Sequence, residues 1–133
     1  MAEEVLKAKE AVYRGKAISY LKSLDVRESA KYLPSRPRRY VFRNFDVIQK
    51  FIKRCEKRNS KNKKIRTHLR DIVVVPQLVG MAISVYNGKN FSDINITADM
   101  IGHKLGEFAI TRTKVTHGSA GIGATKSSKA QKK

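Results

Sequence analysis

A chain of 133 residues with 29 lysines and arginines against 11 aspartates and glutamates carries a formal charge of +18, enough self-repulsion to oppose a compact state unless a polyanion compensates. The length suits one domain with a modest core rather than two, no run of about 18 apolar residues is present to span a bilayer, and the single cysteine, Cys55, excludes an intrachain disulfide and a CxxC zinc site. An anionic partner is expected, nucleic acid first and an anionic membrane surface as the rival, with the cytosol as default compartment.

The charge is segregated. Residues 1–35 carry 7 basic and 5 acidic side chains, residues 36–70 carry 14 and 2, residues 71–111 carry 2 and 4, and residues 112–133 carry 6 and none. Apolar residues concentrate in the near-neutral third block. A folded centre with basic surfaces and a basic tail follows; a merely solubilising surface would mix signs. The opening MAEEVLKAKE is mixed in charge, has no apolar stretch and does not read as a secretory signal.

In chain order, residues 1–10 extend a helix or fray. Leu21, Leu24, Ala30 and Leu33 suggest short helical turns from about 20 to 33, ended by Pro34 and Pro37. The run SRPRRYVFR should be extended or turned, presenting Arg36, Arg38, Arg39 and Arg43, whose planar forks match phosphate. Asp46, with Gln49 three residues on, resembles a capping box. It opens a helix over roughly 46–58 whose Val47, Ile48, Phe51, Ile52 and Cys55 share one side, with lysines and arginines on the back. Cys55 reads as a small buried apolar residue. After the polar loop NSKNKK, the β-branched run ending IRTHLRDIVVV predicts a central strand at about 70–75, and PQLVG a turn or short helical piece. AISVYNGKNFSDINI predicts two strands meeting at Asn87-Gly88. Thr97 then caps a helix carrying Ile101, Leu105 and Phe108. Gly102 and Gly106 weaken that helix, so either they serve close packing or the helix is shorter. Beyond Thr111 the pattern collapses into a tail with no acid, ordered by its partner.

The tail contains HGSAGIGATKSS, which approaches a P-loop. Gly118 and Gly123 have the right separation, but Ala124 stands where lysine belongs and Lys126 comes two residues late. The ten residues after Gly123 leave no room for a nucleotide fold. Glycines that let backbone approach phosphate remain useful to a nucleic-acid binder. His68, His103 and His117 are too widely spaced to suggest a metal site. Asp71, Asp93, Asp99 and Glu107 form no dyad, and Glu107 is expected to pair with an arginine. The chain is expected to be no enzyme, with no catalytic residue, metal or cofactor. Zinc-finger spacing, leucine heptads and a helix-turn-helix pair are all missing. Tyr40, Phe42 and Phe45, interleaved with the first arginines, either stack on unpaired bases as RNA binders do or anchor the segment to the core.

The stretch NGKNFSDINITADMIGHKLGEFAIT, residues 87–111, resembles the signature of the S19 family of small-subunit ribosomal proteins: Gly88-Lys89, then Ile96, Ile101-Gly102, Leu105-Gly106-Glu107-Phe108 and Thr111. The flanks agree: Leu33-Pro34-Ser35-Arg36 with Arg38-Arg39, IRTHLRD, PQLVG and HGSAGIGATKSS. The likeness covers roughly residues 12–129 and is to the archaeal and eukaryotic form. It implies a structural protein of the small-subunit head that binds rRNA and supports assembly and the decoding region, cytoplasmic in the small subunit, with no membrane role. Implied neighbours are the S13-family protein, the large subunit's L5-family protein near an intersubunit bridge, and tRNA near the C-terminal tail. The implied fold is α+β: a small single domain with a three-stranded β-sheet packed by helices, plus extended basic N- and C-terminal segments. Residues 1–35 would form an N-terminal helical extension, 36–111 an rRNA-binding core with a basic loop, and 112–133 a flexible basic tail. Implied rRNA contacts are Arg36, Arg38, Arg39, Arg43, Arg66, His68, Arg70 and Lys89. In the tail, Arg112, Lys114, His117, Lys126 and Lys129 would make contacts along a path shaped by Gly118, Gly121 and Gly123.

Overall fold

The computed structural model describes residues 11–114 and, beyond them, Lys126 alone. The fold is α+β, with two small sheets and several helices. A short hairpin, β1 (Val12–Tyr13) and β2 (Lys16–Ala17), opens it. Its tight turn places Arg14 and Gly15 both at positive φ, 47° and 75°, as two-residue hairpin turns require. This sheet was not expected. Helices α1 (Ile18–Ser23) and α2 (Val26–Ser29) and a 3₁₀ turn (Ala30–Tyr32) follow, and the chain turns at Leu33-Pro34 as anticipated. They contribute Ile18, Leu21, Val26, Ala30 and Leu33 to the same core as the rest of the chain.

The segment expected to be extended or turned is instead α3 (Ser35–Arg43). Pro34 is its N-cap and Pro37 its third residue, and the first intrahelical bond runs from Arg38 N to Pro34 O at 2.9 Å. The N–H groups up to that third position have no intrahelical partner in any helix, so neither proline costs a hydrogen bond. Asn44 joins α3 to α4 (Phe45–Asn59): its backbone and side-chain N–H groups both donate to Tyr40 O, closing α3. No side chain caps α4, so the capping box expected at Asp46 does not form. Asp46 lies in the first turn, where its charge complements the helix dipole. Ile48, Phe51, Ile52 and Cys55 are buried, whereas Val47 is 47% exposed.

The larger sheet has the order β3 (Ile65–Thr67), β4 (Ala82–Tyr86), β5 (Phe91–Asn95), with β3 parallel and β5 antiparallel to β4. The strand expected at 70–75 is therefore displaced to 65–67. Ile72 to Val75 are all buried, but both edges of β4 are already occupied. Their backbone pairs instead with residues 102–106: Val74 N donates to His103 O at 2.8 Å, and Gly102 N to Val74 O at 3.0 Å. That pairing also breaks the single helix expected after Thr97. Gly102 sits at φ +87°, between 3₁₀ turns at Ala98–Met100 and Leu105–Phe108. Gly106 answers the packing alternative, because a Cβ there would lie 2.9 Å from Arg70 O. The Asn87-Gly88 hairpin forms as expected, with Asn87 Oδ1 accepting from the backbone N–H of Lys89 and Asn90.

Candidate nucleic-acid interface

Helical geometry gives the arginines of α3 an order that an extended chain would not. Arg36, Arg39 and Arg43, at i, i+3 and i+7, line one cleft of about 380 Å³ together with Tyr40, Lys104 and Glu107. Arg38 shares a shallower groove with Ser35, Phe42, Arg39 and Arg43. Tyr40 anchors the helix by donating its hydroxyl to Asp71 Oδ2 at 2.8 Å. Burial, then the hydrogen bond and charge of Asp71, push its phenol up to about 12. Phe45 packs against the core beneath Arg27, 4.2 Å from ring centroid to guanidinium, whereas Phe42 is 46% exposed. Of the three aromatics, Tyr40 and Phe45 therefore anchor, and Phe42 faces solvent.

A second cationic surface lies at the other end of α4, roughly 20 Å away by the rise of that helix. Arg54, Lys57, Arg58, Lys61, Lys63, Lys64 and Arg66 line a groove of about 530 Å³, and among the described residues no acidic or neutral one joins its wall. Local chemistry shapes it. Arg58 O accepts from Lys61 N and Lys63 N, and Arg58 Nη1 donates to Lys64 O at 3.1 Å. Asn62 takes positive φ, 50°, to turn the loop, a conformation asparagine tolerates. Lys57 and Arg58 also meet the negative end of the helix dipole. Except for Arg66, these residues were read from sequence as a basic helix back and a polar loop. Only the turn at 60–64 folds the two into a concave surface.

The expected contact residues are distributed unevenly. Arg66 and His68 project from and just beyond β3, both exposed, and Lys89 stands exposed at the hairpin tip. Arg70 is different: its guanidinium donates to Tyr86 O at 2.6 Å, Gly106 O at 2.8 Å and Ala109 O at 2.6 Å. Arg112, Lys114 and Lys126 are exposed. His117, Gly118, Gly121, Gly123 and Lys129 lie outside the described residues.

Electrostatic compensation inside the fold is nearly missing. Among the described residues one basic side chain meets a carboxylate, His103 Nδ1 with Glu107 Oε2 at 2.8 Å, an ion pair only when the imidazole is protonated. Glu107 was expected to meet an arginine; it pairs with His103 and accepts from Lys104 N at 3.2 Å. That backbone N–H, followed by His103, holds its carboxyl below its ordinary value. The arginines of α3 and the cations of the groove thus have no carboxylate partner among the described residues. Packed cations without internal counter-charge stay tolerable at neighbouring positions only when solvent ions or a polyanion screen them.

Comparison with known proteins identifies a family. A family profile described as ribosomal protein S19 matches residues 39–117. The chain is 47% identical over 127 residues to the small ribosomal subunit protein uS19 of Halorubrum lacusprofundi, covering 91% of this chain and 89% of that protein. It is 45% identical over 121 residues to the protein of the same name from Methanocella arvoryzae, covering 90% and 84%.

Proposed function

Because the chain belongs to the ribosomal protein S19 family, we propose that its two cationic surfaces, at opposite ends of α4, hold separate stretches of small-subunit rRNA backbone. It is a structural, rRNA-binding constituent of the small ribosomal subunit and not an enzyme. The observation that carries the reading of the surfaces is the groove of seven cations with no paired carboxylate among the described residues. Arg36, Arg38, Arg39 and Arg43 form the second contact, each fork able to take a phosphate in bidentate fashion. Arg66, His68 and Lys89 extend the surface along the sheet, while Arg70 holds the backbone that positions them. The basic tail from Arg112 onward reaches toward the decoding region and tRNA; the S13-family protein neighbours the chain in the subunit head, and the large subunit's L5-family protein lies near it at an intersubunit bridge. The cytoplasm is the compartment this implies.

The test is sedimentation. Tagged chain expressed in cells should travel with small ribosomal subunits after a high-salt wash. A variant with Arg54, Lys57, Lys61 and Lys64 all changed to glutamine should shift to the free pool. Wild-type protein found only in the free pool would overturn the assignment; a variant retained as well as wild type would overturn the role of the groove.

A further inference from the structure

The larger sheet buries one face in the core, while on the other Ser84 is covered, Arg66 and Asp93 are exposed, and Tyr86 and Phe91 are half-buried. Ile83, Val85 and Ile94 point into the core. The register that pairs Arg66 with Ser84, Ser84 with Asp93, and Tyr86 with Phe91 places those residues on the opposite side. At one end of that second face three rings meet. His68 lies 4.7 Å from Tyr86 and 5.2 Å from Phe91, and Tyr86 lies 5.2 Å from Phe91. Tyr86 and Phe91 are half-buried, His68 is exposed, and none of the three joins the hydrophobic core. The Arg66 guanidinium sits over Phe91, 5.3 Å from its centroid.

The rings are held in place from behind. Arg70 fixes Tyr86 through its carbonyl oxygen, and Asn87 Oδ1 ties the hairpin tip that joins Tyr86 to Phe91. Arg66 also lines the seven-cation groove, so ring cluster and groove form one continuous surface. Aromatic rings and a guanidinium plane beside a phosphate-binding groove are how proteins hold unpaired nucleotides: cations track the backbone while rings stack on bases, whatever their identity.

We propose that the His68–Tyr86–Phe91 cluster with Arg66 is a stacking platform for one unpaired base of RNA, whose flanking phosphates lie in the adjoining groove. It rests on the rRNA-binding reading above and adds the recognition of a splayed-out nucleotide. A protein partner would also use exposed aromatics, but the guanidinium over Phe91 and the uncompensated groove beside it favour RNA.

The experiment uses the full chain and two RNA hairpins of equal length, one fully paired and one with a single bulged 2-aminopurine. The wild type should bind the bulged hairpin about tenfold more tightly and quench its fluorescence. Phe91→Leu should abolish both the preference and the quenching while leaving affinity for the paired hairpin and its salt dependence intact. Phe91→Tyr, which keeps the ring, should retain both. Thermal melting identifies any variant that has lost its fold, and Tyr86→Leu then replaces it. Equal, salt-dependent binding of both hairpins, or a preference that survives loss of the ring, overturns the platform and leaves its face to a protein partner. Failure to bind either hairpin would instead contradict the rRNA-binding reading itself.

Discussion

Replacing Arg70 by alanine should destabilise the fold far more than it weakens RNA binding. The guanidinium donates to the carbonyls of Tyr86, Gly106 and Ala109 at 2.6–2.8 Å, tying β4 to the turn at Leu105–Phe108 across 16 to 39 residues of sequence. Hydrogen bonds from a charged donor each contribute about 1.5–3 kcal/mol. Ala109 is buried, while Tyr86 and Gly106 are half-exposed and can recover water, so the loss should be about 2–4 kcal/mol rather than the full sum. Against a domain stability of about 5–15 kcal/mol this is large, and it corresponds to a fall in Tm of roughly 10–25 °C for a fold of this size. Urea titration and thermal melting of Arg70→Ala and Arg70→Lys measure it, with lysine, a single-point donor, intermediate. Binding measured in the cold, where the variant is folded, should keep its salt slope. If stability is unchanged and the slope instead falls by about one, Arg70 spends its charge on a phosphate and the reasoning fails.

Gly106→Ala should cost about 1–3 kcal/mol in urea denaturation, because the new Cβ meets Arg70 O at 2.9 Å and Arg70 Cβ at 3.0 Å; an unaltered midpoint would mean the contact relaxes freely. Gly102→Ala should cost about 1–2 kcal/mol for its positive φ, and Gly88→Ala, at φ +97° with open space around it, a similar amount from backbone strain alone. Burial pushes the Cys55 thiol up to about 11, leaving roughly a thousandth as thiolate at pH 8. Alkylation of the native protein at pH 8 should therefore be far slower than in urea, with equal rates counting against the burial.

What could be read from the residues was what depends on near neighbours. The Asn87-Gly88 turn and the buried stripe of Ile48, Phe51, Ile52 and Cys55 are local patterns, and they formed where expected. Pro34 and Pro37 concealed α3, because a proline in a first turn and a proline that breaks a helix look alike until the helix start is known. The run Ile72–Val75 was correctly apolar, yet which strand pairs with β4 is decided by competition for its two edges, which no window of sequence contains. Likewise the resemblance implies Arg70 only as an rRNA contact, and its three carbonyl partners, distant in the chain, come together only in the fold. The same holds for the cationic groove, where composition revealed the charge and only the turn through Asn62 makes it concave, and for His68, Tyr86 and Phe91, which meet through cross-strand register.

The groove at the end of α4 is proposed to neutralise rRNA phosphates. Its most direct test is the dependence of affinity on salt for transcribed small-subunit head rRNA, measured for the wild type and for a variant with Lys57, Lys61, Lys63 and Lys64 changed to glutamine. The wild type should show a steep fall of log affinity with log salt, and the fourfold variant a slope shallower by about 3–4, at unchanged thermal stability. Equal slopes for the two proteins would contradict it.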